Sequence, residues 1–369
     1  MLIINNDVVH DLLTMEDTIE DLERAYLQLV SSDAVCRPRM DIQIPTGEPG
    51  KVFQWGTMEG GSTDGYFAIR MKSDVLYERH YNGALTQEQY CIEPGTFCGL
   101  ILLINVKNGE PLAILNDGIV QHMRVGADGG IGVKYMANAD AEVVGMLGSG
   151  GMARSHMEAF TRVRSIRKLQ VYSPTRENRE AFGQEMRTRY GVEVVVCDRA
   201  DAVYRGAHIM AALTDSAVPV LDGTLIEKGS HIVNVGGGGG RPDDATLAKV
   251  DLYLRFGTAP APWTRPEWGV PDEFVTYAAR QDVISSFGMA RSGKRGHGVA
   301  LPEKLVRFAD IVAGNHPGRT SADQVTYSER GNLQGAQFFG IAGRVYEKAL
   351  AMGLGHTVPT DWFVQNIRN

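Results

Sequence analysis

The stretch GMLGSGGMARSH, residues 145–156, decides the fold of this chain. It follows the apolar pair Val143-Val144 and leads into the helical run MARSHMEAFTRV. Gly148, Gly150 and Ala153 fit the pattern G-x-G-x-x-A. In that pattern the first glycine allows a tight turn, the second lets the backbone approach a pyrophosphate, and the small third residue lets the helix pack on the strand. The helix N-terminus offers N–H groups to an anion, so the stretch predicts a dinucleotide-binding loop.

The sequence around this loop predicts the fold class. After residue 140 the apolar runs EVVGML, KLQVYS, VEVVVCD, AHIMAAL, HIVNVG and DLYLRF recur, with helical stretches between the early ones. This alternation is typical of βαβ units, so we expect an α/β protein with a doubly wound, Rossmann-type parallel sheet. Residues 35–115 show short apolar runs and the hairpin turn KNGEP, which predict an antiparallel sheet. An amphipathic helix is predicted from Thr14, and a helical tail can fold back on the front half.

Composition and charge narrow the function classes. The 369 residues are 43% hydrophobic and carry a net charge of −7, which gives no electrostatic footprint for nucleic acid or an anionic membrane. The longest apolar run, LILLINV, is far too short to span a bilayer, and the first residues lack a signal-peptide pattern. Four scattered cysteines form no C-x-x-C pair, so we expect no metal site, reduced thiols and a cytoplasmic protein.

The second strand of the predicted parallel sheet indicates which nucleotide binds. An NAD-binding fold places an acidic residue at the end of this strand to bind the ribose hydroxyls. Here the run LQVYSPTREN supplies hydroxyls and a guanidinium, which suit a 2′-phosphate. We therefore expect NADP(H) to be preferred, with NAD(H) as the alternative. The predicted cofactor-binding residues are Gly148, Ser149, Gly150, Gly151, Met152, Ala153, Ser173, Thr175, Arg176, Thr214 and Gly236.

Four cations in the front half are candidates for binding an anionic substrate. Arg70 and Lys72 are two apart on a predicted strand, so both project from one face. Either at least one points into a cleft or both are solvated. Arg124 lies among apolar and small residues just before the nucleotide domain, where it can meet a substrate between domains. Arg39 lies in the run CRPRMDIQ.

Several motifs in order resemble the ornithine cyclodeaminase/μ-crystallin family. They are Arg39, Arg70 with Lys72, LILLINVKNGEPLAILND, MRVGADGGIGVKYM, GMLGSGGMARSHMEAF and VYSPTRENREAF, and the resemblance resumes at GRTSADQVTYSERG. It implies a homodimer with a discontinuous α+β substrate-binding and dimerisation domain, residues 1–125 and 326–369, and a Rossmann domain, residues 126–325. It also implies that Arg39, Arg124 and a strand lysine bind an amino- or imino-acid carboxylate. Whether Arg70 or Lys72 takes the lysine's place stays open.

Two departures from the family pattern bear on the chemistry. Cyclodeaminases carry an aspartate shortly after VNVG, where this chain has Gly238, and the nearest carboxylates are Asp243 and Asp244. Residues 258–300 resemble an insertion, in which Trp263 and Trp268 either cover the site as a lid or form a surface excursion.

Together these features predict an NAD(P)H-dependent reductase of imines of 2-oxo acids, equivalently an amino-acid dehydrogenase in reverse. Arg124 and Arg39 would hold the substrate carboxylate, and Arg70 or Lys72 would act in catalysis by neutralising a second charge or supplying a proton. Three cations in one pocket would favour a dicarboxylate substrate. The alternatives are an ornithine- or lysine-type cyclodeaminase with catalytic NAD, and an NADPH-binding protein without turnover.

Overall fold

The computed structural model describes residues 1–81, 83–236, 242–268, 275–285, 302–329 and 331–367. The elements up to residue 136 are β1 (Leu2–Ile4), α1 (Asn6–Leu12), α2 (Met15–Ser31), β2 (Ala34–Cys36), β3 (Met40–Pro45), β4 (Val52–Ser62), β5 (Tyr66–Tyr81), β6 (Ala84–Tyr90), β7 (Cys98–Asn105), β8 (Pro111–Asn116) and α3 (Gly118–Met136). The next elements are β9 (Val143–Leu147), α4 (Gly151–Val163), β10 (Lys168–Tyr172), α5 (Arg176–Tyr190), β11 (Glu193–Val196), β12 (Ile209–Thr214), β13 (His231–Gly236), α6 (Asp244–Lys249) and β14 (Leu252–Arg255). The last are β15 (Val275–Ala278), α7 (Gln281–Ser285), β16 (Leu305–Arg307), α8 (Phe308–Val312), β17 (Thr326–Glu329), α9 (Phe339–Met352) and β18 (His356–Thr357).

The predicted doubly wound parallel sheet is confirmed. Its strands run in the order β11-β10-β9-β12-β13-β17-β14-β16, and all neighbours are parallel. The apolar runs that alternate with helices form β9 to β14, and buried side chains fill the layer between β9, β10 and helices α4 and α5. Strand order reverses between β9 and β12. The crevice outside the carboxyl ends of these two strands is therefore where such a sheet binds its ligand.

The front half forms the predicted antiparallel sheet in its central strands β3, β4, β5, β7 and β8, while β1 beside β8 and β15 beside β3 add to it in parallel. Its main path is β15-β3-β4-β5-β7-β8-β1-β18, with β2 beside β4 and β6 beside β5. The KNGEP turn joins β7 to β8, and Gly109 takes a φ of +76° there. Helix α2 begins as predicted, because the Thr14 hydroxyl accepts a hydrogen bond from the N–H of Asp17 at 3.1 Å. Helix α9 returns to this sheet and packs in the same apolar core as α2, as expected for the tail.

The two domain borders expected from the sequence separate residues that belong together in the structure. The border at 125/126 cuts helix α3. The border at 325/326 would assign β17 to the first domain, whereas β17 pairs with β13 and β14 in the parallel sheet. The division into two domains remains a proposal, and the pairing of β17 favours a second border after Glu329.

The described part of the insertion adds a strand to the edge of the antiparallel sheet. β15 adds to the sheet edge in parallel with β3, and the N–H of Val275 donates to the carbonyl of Arg39 at 3.1 Å. Trp263 is 94% exposed and does not line the central cavity, which favours the surface excursion over the lid for this residue. The side chain of Trp268 lies outside the described residues.

Candidate active site at the sheet switch point

One cavity of about 1580 Å³ joins the two sheets at the switch point, and we call it the central cavity. It is lined by the predicted residues Arg39, Arg70, Lys72, Arg124, Gly148, Ser149, Gly150, Gly151, Met152, Ser173, Thr175 and Thr214. Three other predicted residues lie elsewhere. Ala153 is buried inside α4, Gly236 ends β13, and the Arg176 side chain is 68% exposed on α5. The fold therefore brings the substrate and cofactor candidates into one continuous space.

The glycine loop has the geometry that a dinucleotide requires. Gly148 has a φ of +118°, and a Cβ there would lie 2.1 Å from the carbonyl oxygen of Leu213, so only glycine fits between β9 and β12. A Cβ on Gly150 would meet no atom within 4 Å, which leaves open space at the N-terminus of α4. Ala153 is fully buried, as expected for the small residue between helix and sheet. Loop and helix end thus form a cradle with room for a pyrophosphate.

The end of β10 presents hydroxyls rather than a carboxylate. Ser149 and Ser173, on neighbouring loops, are joined by a hydrogen bond of 2.9 Å between their Oγ atoms. Arg176 donates from Nε to Glu180 at 2.7 Å and points along α5. One nitrogen of the Arg176 guanidinium is therefore engaged within α5.

Three cations at the cavity wall are each backed by a buried carboxylate. Arg70 pairs with Asp117, and Lys72 pairs with Asp74. Arg39 donates from Nε to Asp41 at 2.8 Å. Asp41, Asp74 and Asp117 are at most 1% exposed, and none of these carboxylates lines the central cavity. The alternative in which Arg70 and Lys72 are both solvated is wrong, because they are 1% and 7% exposed.

The partners of Arg124 include two neutral amides and an aromatic ring. On α3, Arg124 donates to the amide oxygen of Gln337 at 2.6 Å and to that of Gln121 at 2.8 Å. Its guanidinium lies 5.4 Å from the ring centroid of Phe338, and that of Arg70 lies 6.0 Å from the same centroid. The first turns of the tail therefore fix the orientation of both guanidinium groups.

The environment of Lys72 perturbs its protonation. Burial lowers the pKa of the Lys72 ammonium to about 8, the charge of Arg39 adds to the decrease, and the Asp74 carboxylate opposes it. Lys72 Nζ also donates to the amide oxygen of Gln89 at 3.2 Å. A lysine in this state can lose and regain a proton near neutral pH, as an acid or base in catalysis must.

The β5–β6 hairpin reaches across the cavity to the parallel sheet. The N–H of Ala217 donates to the carbonyl of Leu85 at 2.8 Å, and the N–H of Gln87 donates to the carbonyl of Asp215 at 3.3 Å. Burial raises the pKa of the Asp215 carboxyl, and the Glu88 carboxylate adds to the increase. No sequence pattern indicated this contact, because it joins segments about 130 residues apart through backbone groups.

The carboxylates behind the cations were not predicted from the sequence. Asp41 and Asp74 follow Arg39 and Lys72 by two residues in strands, so period-two alternation placed each pair on one face and could have revealed them. Asp117 and Gln337 lie 47 and 213 residues from their partners, and no local signal marks them.

The carboxylates expected near the glycine run do not reach the central cavity. Asp243 caps α6, where it accepts from the N–H of Thr246 at 2.8 Å, and Asp244 is exposed. Gly238 itself lies outside the described residues. Among the described residues, no group of three or more His, Cys, Asp or Glu side chains could hold a metal ion. In the same part of the chain, no helix has the length and apolarity to cross a membrane.

Comparison with known proteins places this site in a family. The model of the ornithine cyclodeaminase/mu-crystallin family matches residues 87–352, well over half of the chain. The chain belongs to this family. A Δ1-pyrroline-2-carboxylate reductase of Bacillus cereus is 25% identical over 270 residues, which are 71% of this chain and 74% of that protein. The ketimine reductase mu-crystallin of Rattus norvegicus is 30% identical over 192 residues, 51% of this chain and 56% of its own length.

A solved relative extends the similarity to nearly the whole chain. The structure of Thermococcus litoralis Δ1-pyrroline-2-carboxylate reductase, in complex with NADH and L-proline, aligns with a TM-score of 0.70 and 25% identity. The alignment covers 97% of this chain and 100% of the other. The family resemblance that rested on the sequence motifs is thus confirmed.

Proposed function

We propose that this protein is an NAD(P)H-dependent reductase that converts imines of 2-oxo acids into amino acids. The observation that carries the proposal is the single central cavity, in which the glycine loop faces Arg39, Arg70, Lys72 and Arg124. The names of the Bacillus cereus, rat and Thermococcus litoralis relatives, all reductases of cyclic or acyclic C=N bonds, support the same chemistry.

The residues present fit a nicotinamide dinucleotide. The open space above Gly150, the N-terminus of α4 and the Ser149–Ser173 hydroxyls would hold its pyrophosphate and ribose. When bound and reduced, the dinucleotide supplies a hydride. NADPH is preferred in this proposal, because β10 ends without a carboxylate to repel a 2′-phosphate and Arg176 lies one turn from Ser173.

The cations take different roles in this proposal. Arg124, held by Gln337 and Gln121, binds the substrate carboxylate and orients the imine carbon, with Arg39 and Arg70 beside it. Arg70 forms an ion pair with Asp117, whereas the pKa of Lys72, lowered to about 8, lets Lys72 exchange a proton near neutral pH. Lys72 would therefore supply the proton at the imine nitrogen, which assigns the catalytic lysine role to Lys72 and the binding role to Arg70.

Charge neutralisation favours a substrate with one carboxylate. Arg39, Arg70 and Lys72 are each paired with a buried aspartate. The lining of the central cavity also includes Glu88, Asp215 and Glu329, beside Arg79 and Arg124. A dicarboxylate was expected from the number of cations alone, without their buried aspartate partners. We propose a monocarboxylate imino acid as the substrate instead.

A second copy of the chain would cover the outer face of the antiparallel sheet. Ile42, Ile44 and Leu100 on that face are 37–44% exposed, and Trp55 and Ile69 beside them are half-buried. No described helix packs over this face, because α2 and α9 pack against the opposite face of the sheet. We propose a homodimer through this apolar face, in the cytoplasm, where the four free cysteines would stay reduced. Light scattering should give the mass of two chains, and Leu100→Glu should shift it toward one.

The function is tested by nicotinamide absorbance with a panel of substrates. Purified protein receives NADPH or NADH and either a cyclic imino acid or a 2-oxo acid with ammonia or methylamine. Oxidation of NADPH, faster with a monocarboxylate than with oxaloacetate, would support the proposal. Release of ammonia from L-ornithine without net change in absorbance would indicate a cyclodeaminase. Binding of NADPH without turnover of any substrate would indicate a protein that only binds the nucleotide.

A further inference from the structure

The Lys72–Asp74 pair differs from the other two pairs behind the central cavity. The Asp74 side chain is fully buried, and neither of its oxygens has a hydrogen bond to any described group apart from its ion pair with Lys72. By contrast, only one oxygen of Asp117 lacks such a partner, and Asp41 has none lacking. A buried carboxylate that relies on one ammonium among the described groups is costly to keep, so it calls for a role beyond packing.

Lys72 has charged groups of both signs around it. From its own strand β5 it faces Arg70 and Asp74, and from β6 it faces the neutral amide of Gln89. Arg39 approaches from the start of β3, since a Cβ on Gly56 of β4 would lie 3.3 Å from Lys72 Cγ and 3.5 Å from an Arg39 nitrogen.

The remaining neighbours add little positive or negative charge at the ammonium. Asp41 of β3 forms its ion pair with Arg39. The residues opposite Lys72 on the neighbouring strands, Gly56 of β4 and Gly99 of β7, have no side chain. Cys98 of β7 faces Asp74 and Asp117. Among the described groups, Asp74 is therefore the carboxylate in direct contact with Lys72 Nζ.

We infer that Asp74 is a positioning residue, which fixes the Lys72 ammonium toward the imine nitrogen and restores its proton after each turnover. This inference rests on the proposed function. Asp74 does not line the central cavity, whereas Lys72 does, so Asp74 acts only through Lys72. In the step itself, an N–H bond of the ammonium breaks, its electron pair stays on Nζ, and the proton bonds to the substrate nitrogen. The negative charge of Asp74 then favours uptake of a proton from water by the neutral amine.

Asp74→Asn tests this inference, because it removes the charge and keeps the shape. The rate of imine reduction is measured against pH for wild-type protein and variant, together with the KM of the imino acid and the affinity for NADPH from its fluorescence. We expect the pH at which activity is half lost to fall by about one unit or more, as an opposite charge in contact shifts a pKa by about 1–3 units. The KM and the NADPH affinity should stay near the wild-type values, while kcat at neutral pH falls.

Three further variants separate positioning from a general structural effect. Asp74→Glu keeps the negative charge, so the pH at which activity is half lost should stay near the wild-type value, even if kcat falls. Asp117→Asn, a matched carboxylate in contact with Arg70, should shift the midpoint less than Asp74→Asn. In a Lys72→Arg background, Asp74→Asn should add little further loss, because contacting residues that act together are not additive.

Two results would overturn the inference in different ways. If the pH midpoints of Asp74→Asn and Asp74→Glu both equal that of the wild-type protein, Asp74 does not have this role, and the proposed function stays intact. An absence of imine reduction by the wild-type protein would remove both.

Discussion

The protonation of Lys72 makes a quantitative prediction about pH. With a pKa of about 8, lowered from 10.5 by burial and Arg39, the ammonium is mostly present at neutral pH. Because the imine nitrogen must receive its proton, kcat/KM for reduction should be constant below about pH 7 and fall about tenfold per unit above about pH 9. Amino-acid oxidation needs the neutral amine, so its rate should rise over the same interval.

The assay follows NADPH oxidation from about pH 6 to about pH 10 at saturating cofactor, with one imino acid throughout. The substrate also titrates, and Lys72→Arg provides the control, since a guanidinium stays protonated over this range. Subtracting the pH dependence of Lys72→Arg from that of the wild type should leave the ionisation near pH 8. A wild-type profile that matches the Lys72→Arg profile across the whole range would refute the assignment of Lys72 as the proton donor.

Three other predictions concern the carboxylate clamp, the nucleotide and the core. Arg124→Lys should lower kcat/KM by about 100-fold or more and leave NADPH affinity unchanged, because two charge-assisted hydrogen bonds of about 1.5–3 kcal/mol each lose their fork geometry; equal kinetics in variant and wild type would contradict the clamp. Arg176→Ala should weaken NADPH binding by about tenfold and NADH binding hardly at all, which titration of nicotinamide fluorescence would show; equal losses for both would remove the 2′-phosphate contact. Burial lowers the pKa of His231 to about 3 from 6.5, so the unfolded chain binds the extra proton and stability falls as pH decreases below 6.5. Urea unfolding should give about 2 kcal/mol less stability from this group at pH 5 than at pH 7, and the slope should be smaller in His231→Gln.

Local sequence patterns predicted the elements and the cofactor cradle. The alternation of apolar runs and helices, and the spacing of Gly148, Gly150 and Ala153, depend on neighbours in the chain. The strand order did not follow from such patterns. β17 lies between β13 and β14 because a late segment of the chain returns to the parallel sheet. A domain border at 325/326 would separate β17 from these two neighbours.

The chemical state of the site was less accessible from sequence. The four cations were found as residue types, yet their charge is set by Asp41, Asp74 and Asp117 behind the cavity wall. Counting cations alone favoured a dicarboxylate, whereas Arg39, Arg70 and Lys72 are each paired with one of these aspartates. The orientation of Arg124 also depends on Gln337, which arrives with the tail.

The central claim is that hydride goes from the dinucleotide to the imine carbon of a 2-oxo-acid imine. The most direct test supplies NADPH deuterated at the reactive nicotinamide position together with an imino acid, and analyses the amino-acid product by mass spectrometry and NMR. The account predicts one deuterium at the α-carbon for each NADPH oxidised. Product without the label, or ammonia release with the NADPH unchanged, would contradict it.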